Sequence, residues 1–473
     1  MSRSSGAGAH GTGARGHGAS ILVAALGSAF GVALLQITGM LTAVIRGDDV
    51  TGSSATVAMF LFVLAFVFIV ISVYVAAVVT ANTFSTIVAG RVRSIALLRL
   101  LGSSASRERS RIAREGLVVG VLGSLIGAIA GTVVAIVVER IAIVTSLIPE
   151  ASGYTYTEPV IFVPIVGVML TTWAASWVGS RRVTTVTPLE ALGRSEELSR
   201  EQTLARPGRN RTALVLVLIG FVLLALGVVT GFTSPFGILI GLVGGILSFT
   251  GIVLGADVVM PPVLRLAGRL SGRSAPARLA AENAVRHPQR SSRATIGLVI
   301  GVTLVTMFAV AMAGFEASIR VAQAETPEAY EGIDATLAAT TAVFSILVGF
   351  SGLIAAVGLV NNLSLSVLQR RRELGLLRAL GFTVPQVRRM VLAESAQLTF
   401  SAIVLGLVLG ALYGWAGAQS LLGSASHNIV IPGMPWLVIG LVIVAGAVLT
   451  AVASWAPARA AVRVSPVEAL AID

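Results

Sequence analysis

Long apolar runs alternate with short polar segments along the chain, falling near 21–45, 57–88, 115–138, 159–178, 213–232, 236–260, 295–315, 337–365, 393–418 and 435–456. Each is close to or beyond the roughly 20 apolar residues that a helix needs to cross the hydrocarbon layer. A backbone in lipid must satisfy its own N–H and C=O groups, so runs of this length predict ten membrane-spanning helices.

The polar segments reveal a repeat. Residues 370–395, RRRELGLLRALGFTVPQVRRMVLAES, align without a gap on residues 91–116, RVRSIALLRLLGSSASRERSRIAREG, at an offset of 279. The identical pairs are Arg91/Arg370, Arg93/Arg372, Leu97/Leu376, Leu98/Leu377, Arg99/Arg378, Leu101/Leu380, Gly102/Gly381, Arg109/Arg388 and Glu115/Glu394. Each copy reads as a helix, a break and a second helix. In the second copy Leu374, Leu377 and Leu376, Leu380 recur at helical spacing, with Arg372 and Arg378 off that stripe. Gly381 then closes the helix in the left-handed conformation. Thr383 follows as N-cap, with Pro385 in the first turn and Gln386 at the capping-box position. The first copy keeps Gly102 and offers Ser103 and Ser104. Lipid phosphates at the inner surface would account for one basic loop of this kind. Two aligned copies point instead to a docking surface.

Further matches follow the loop. Gly123, Gly127 and Gly131 are spaced by four in the third run, as are Gly406, Gly410 and Gly414 in the ninth, a spacing that lets helix backbones approach closely in lipid. The fourth run closes with Trp177 and Val186-Thr187-Pro188-Leu189-Glu190-Ala191-Leu192, and the tenth with Trp455 and Val464-Ser465-Pro466-Val467-Glu468-Ala469-Leu470, at an offset of 278. Six spans separate the two loops, so the repeats are parallel rather than inverted. The expected fold class is all-α: a polytopic membrane protein of ten transmembrane helices, as two parallel four-helix repeats plus an inserted two-helix hairpin.

Composition sharpens the division. Residues 1–19 are a Gly, Ser and Ala-rich segment read as a flexible cytoplasmic tail, and 20–192 hold the first repeat. Residues 193–212 are a polar linker, 213–262 the hairpin, and 263–473 an amphipathic elbow helix and the second repeat. The elbow, ARLAAENAVRHPQR at 277–290, is expected to lie along the inner surface and end at Pro288. With 55% hydrophobic and 12% charged residues, a soluble globule is excluded. The net charge of +12 is no nucleic-acid signal, because the arginines cluster in alternate loops, at 91–114, 181–211, 265–293 and 370–389. The positive-inside rule makes those loops and both termini cytoplasmic.

All 34 basic residues are arginine, so no P-loop lysine is present and ATP hydrolysis must come from another polypeptide. Cysteine is absent as well, which excludes thiolate metal sites and cysteine nucleophiles. No catalytic constellation is present, and His10, His17, His287 and His427 are too scattered for a metal site. Asp257 is read as an interfacial carboxylate, with a proton relay as the alternative. Asn82 and Asn361 are read as helix-packing residues, and Glu316 with Arg320 as a surface pair.

The two loops, the tails VTPLEAL and VSPVEAL and the elbow together resemble the FtsX-like permease family, membrane subunits of type VII ABC transporters, in a ten-span form of bacitracin-resistance type. Such permeases generally carry a large extracellular domain, for which Arg46–Ala55 and Ser318–Asp334 leave no room. The resemblance implies a non-catalytic permease subunit in a bacterial plasma membrane. It implies a cytoplasmic ABC ATPase partner, acting as a dimer with ATP and Mg, and no cofactor in this chain. Export or extraction of a hydrophobic or amphipathic compound is the implied activity. The implied coupling residues are Arg91, Arg93, Arg99, Gly102, Arg109 and Glu115 in one loop, and Arg370, Arg372, Arg378, Gly381, Arg388 and Glu394 in the other. Two other readings stand beside it: an ion-coupled secondary transporter and a membrane sensor for a partner kinase.

Overall fold

The computed structural model describes residues 11–46, 55–144, 159–180, 207–270, 275–286, 288–325, 345, 349, 351–353, 380–426, 428–429 and 435–463. Its long helices fall into two compact units, those up to Gly179 in one and those from Pro207 onward in the other. Among the described residues eight helices are long and apolar enough to cross a membrane, and the protein is an all-α, multi-pass membrane protein. Among the described residues there is no strand. The expected eighth span lies almost wholly outside the described residues, and the tenth appears as a helix whose described apolar stretch is Trp436–Val448.

The first unit contains α1 (Gly11–Arg46), α2 (Ala55–Leu100), α3 (Ala105–Val144) and, after a 3-10 turn at Pro159–Ile161, α4 (Phe162–Gly179). α1 is its central helix: Ala24, Phe30, Val32, Ala33, Leu34 and Ile37 are all buried. Lipid tails are as apolar as leucine, so these helices are held by close packing and interhelical hydrogen bonds. Ser28 Oγ donates to Ser124 O at 2.8 Å and Gln36 Nε2 to Thr132 Oγ1 at 3.1 Å, both joining α1 to α3. Large apolar side chains on the outer faces, such as Phe62 and Ile129, are exposed where lipid would lie.

The second unit contains α5 (Pro207–Gly231), α6 (Gly237–Leu254), α7 (Ala256–Leu270), α8 (Ala275–Arg286), α9 (Pro288–Glu325), α10 (Val384–Ser426) and α11 (Trp436–Arg463). Here α9 is the buried helix and α10 packs along it. The hairpin α5–α6 closes on glycines: a Cβ on Gly227 would sit 2.6 Å from Gly241 N, and one on Gly251 2.8 Å from Ala213 O. That hairpin then packs on α10, where Ser248 Oγ and Tyr413 Oη share a 3.0 Å hydrogen bond and Phe249 meets Tyr413 edge-on.

Three sequence boundaries shift. The expected tail 1–19 includes Gly11–Ala19, which are the first turns of α1, and the expected linker 193–212 includes Pro207–Thr212, which open α5. Extending an existing helix adds a hydrogen bond per residue without a new nucleation cost, so polar residues beside a span are recruited into it. The expected span 236–260 stops at Leu254; Gly255 breaks it and α7 follows. Pro261 and Pro262 lie in α7. Neither has an N–H, and their rings crowd the carbonyls of Asp257 and Val258, which bends the chain a turn upstream.

Candidate functional site

The two aligned loops form the candidate site, and each unit is described by itself. In the first, α2 continues to Leu100, about 18 Å past the expected end of its span near residue 88, before it turns at Leu101. Its end is a Schellman motif: Ser103 N–H donates to Leu98 O at 3.0 Å and Gly102 N–H to Arg99 O at 3.1 Å. Gly102 has φ +100°, and a Cβ there would meet nothing within 4 Å. The glycine is therefore required by backbone conformation rather than by space. Ser104 caps α3, its Oγ accepting from Arg107 N–H at 3.2 Å. Ser103 Oγ donates to buried Glu108 Oε1 at 2.7 Å, and Ile95 and Ile112 pack the two limbs together.

The second loop repeats the turn in different chemistry. Gly381 has φ +97°, again with open space around a Cβ. Thr383 N–H donates to Gln386 Oε1 at 2.8 Å, and the Thr383 hydroxyl reaches the same oxygen at 3.0 Å. Each copy thus uses a different half of the capping box, the Ser104 side chain accepting in one and the Gln386 side chain accepting in the other. Just before each glycine a leucine stands out from the protein: Leu101 is 85% exposed and Leu380 71%.

Where the predicted coupling residues lie is uneven. Arg91, Arg93 and Arg99 are on the final turns of α2. Arg109 stacks over the Trp177 ring at 3.9 Å, so it ties α3 to the end of α4. Glu115 pairs with Arg111 at 3.4 Å. Arg388 is exposed at the start of α10 and Glu394 is buried further along it. Arg370, Arg372 and Arg378 lie outside the described residues, as does Asn361.

The helix-packing glycines meet backbone. A Cβ on Gly131 would sit 2.6 Å from Ala29 O and 3.1 Å from Ala33 N; one on Gly410 would sit 2.6 Å from Thr303 O and 3.0 Å from Met307 N. Gly123 and Gly127 face Ala24, Ala25 and Ser28, while Gly406 and Gly414 face Val302 and Met307. The contact is the same in both units. Its first-helix partners correspond at an offset of 274, Ala29 to Thr303, whereas the glycines correspond at 279. The second copy therefore has five more residues between its first and third helices.

Several features escaped the sequence. The elbow, α8, turns its apolar stripe onto the second loop: Ala280 is buried with Val387, Met390 and Val391, and Leu279 and Phe382 pack on that cluster. Its amphipathic pattern was visible, but the pattern names no partner. The exposure of Leu101 and Leu380 had a signal in their identity across the copies. Arg209 donates to Asp257, so Asp257 is half of an ion pair at the ends of α5 and α7. Glu316 and Arg320 pair at 3.3 Å on an exposed face, a contact of small energetic weight.

A membrane-spanning helical chain with a duplicated, glycine-closed loop is the class this geometry defines. The family model described as FtsX-like permease C-terminal matches residues 66–188 and again 345–466, just over half of the chain. The chain belongs to the FtsX-like permease family. The two matched segments begin 279 and end 278 residues apart. The chain is similar to uncharacterized ABC transporter permease MJ1507 of Methanocaldococcus jannaschii, at 28% identity over 31% of this chain and 35% of that protein. It is also similar to uncharacterized ABC transporter permease YknZ of Bacillus subtilis, at 30% identity over 33% of this chain and 37% of that one. A shorter stretch, 14% of this chain and 16% of the relative, is 35% identical to ABC transporter permease YtrF of Bacillus subtilis. The chain spans about a third of the length of the first two relatives.

Proposed function

We propose that this chain is the permease subunit of an ABC transporter in a bacterial plasma membrane, with both termini cytoplasmic. ATP and Mg act on a separate ATPase dimer, and the chain transmits that hydrolysis to export or extraction of a hydrophobic or amphipathic compound. The observation that carries this reading is the repeated loop tip, with Leu101 and Leu380 exposed beside left-handed Gly102 and Gly381. A large apolar side chain left exposed at the tip of each loop is surface that docking against a protein partner would bury. The spans support the apolar substrate class: their faces carry residues such as Phe62 and Phe66, and a hydrophilic solute there would lose its hydration without compensation.

The test is copurification and ATP turnover of the complex. Leu101→Asp/Leu380→Asp is expected to release the ATPase or abolish its coupled turnover while insertion of the permease is unchanged. Normal retention and turnover in the double variant would overturn the proposal. The same assay with matched ligands differing only in their apolar tail tests the substrate class, and equal stimulation by the tailless member would reject it.

A further inference from the structure

The elbow α8 packs Ala280 and Leu279 on the second loop. The short helix before it, α7, adjoins a membrane span directly. A single residue, Gly255, separates it from the end of α6, so its start is fixed at the end of a membrane span. Met260, Leu264 and Ala267 on one side of it are buried, and Gly268 packs on Ala281 of α8.

The opposite side is one continuous stripe of exposed positions at helical spacing: Val258, Pro262, Arg265, Leu266 and Arg269. Val258 is 40% exposed and Leu266 50%. The only acid on α7 is Asp257, which is already engaged by Arg209. The stripe is therefore apolar where it leaves the span and cationic beyond, with no carboxylate of its own helix beside the two guanidiniums.

We propose that α7 lies in the membrane interface and holds anionic phospholipid. Val258, Pro262 and Leu266 sit at the acyl boundary while Arg265 and Arg269 bind the headgroup phosphates. The physical grounds are the charge complementarity and the continuity with α6. A helix with apolar and basic residues on its outward face gains both buried area and attraction to anionic headgroups at that depth. Guanidinium suits phosphate through its forked donors. This surface is independent of ATPase docking, so it stands or falls separately from the proposed function.

The chain has no cysteine, so Leu266→Cys gives one labelling site. The full-length protein carrying an environment-sensitive fluorophore there is placed in vesicles of phosphatidylcholine with phosphatidylglycerol at about three to one, with spin-labelled lipids as quenchers. Quenching by spin-labelled lipid near the headgroup level is expected. A probe quenched instead by a water-soluble agent would mean that the face is solvated. Shielding from both quenchers would mean that protein covers it, whether a second copy or another chain. Either result overturns the proposal.

A second measurement uses thermal unfolding in mixed micelles. Added phosphatidylglycerol is expected to raise the midpoint more than phosphatidylcholine does. Arg265→Gln/Arg269→Gln is expected to lose at least half of that difference, while Arg320→Gln, an exposed arginine elsewhere in the chain, keeps it. An undiminished phosphatidylglycerol effect in the double variant would remove the arginines from the site. A double variant already unfolded without lipid leaves the quenching result to decide.

Discussion

At the scale of single residues, the loop turns depend on two glycines for a reason that space does not explain. A Cβ at Gly102 or Gly381 would touch nothing, yet φ near +100° places an L side chain in strained backbone at a cost of about 1–2 kcal/mol. Gly381→Val should therefore disrupt the turn and weaken ATPase retention, whereas Gly381→Asn, which tolerates the left-handed region, should retain most of it. Copurification of the two variants side by side checks this, and equal behaviour would show that the positive φ is not what matters. Arg109 illustrates the converse. Its identity with Arg388 suggested a shared outward role, but it is stacked on Trp177 within the chain. The contact is worth about 0.5–2 kcal/mol depending on solvation, enough to orient the arginine without excluding a partner.

At the scale of elements, the third helix of each unit is tied to the first by glycine on backbone. Gly410→Ala would place a Cβ 2.6 Å from Thr303 O and 2.5 Å from the Thr306 Cβ, forcing α9 and α10 apart at a cost of about 1–3 kcal/mol. Gly417→Ala on the same helix meets nothing within 4 Å and should be neutral or slightly stabilising. Thermal unfolding in one detergent separates them, and a Gly410→Ala midpoint no lower than that of Gly417→Ala would contradict the packing. The chain α6, α7, α8 and the start of α10 forms a second linkage, each packed on the next. It joins the hairpin to the helix that follows the second loop.

At the scale of the whole molecule, the arginine distribution predicts a membrane orientation that reporter fusions can check. Reporter fusions after Asp49, Glu150 and Glu331 are expected outside, and fusions after Arg109, Arg206 and Asp473 in the cytoplasm. A cytoplasmic signal at Glu331 would overturn the parallel arrangement of the repeats. The five extra residues between first and third helices of the second copy explain why the first helices correspond at an offset of 274 while the loops correspond at 279. Their packing register is nevertheless the same, because a membrane helix keeps the glycine contact and lets the connecting segment absorb the difference.

The sequence by itself determined the membrane class, the existence and approximate limits of most spans, the repeated loop and the left-handed glycine at its tip. Those are properties of short windows: hydrocarbon thickness sets the length of an apolar run, and a turn's φ selects its residue locally. Only the tertiary structure decided what each patterned face meets. The amphipathic face of α8 packs on Val387 and Met390, Asp257 pairs with Arg209 across 48 positions of chain, and Tyr413 binds the hairpin through Ser248 across 165. A pattern of apolar and polar positions states that a face must be covered. Which partner covers it depends on distances between residues far apart in the chain, and no local window contains them.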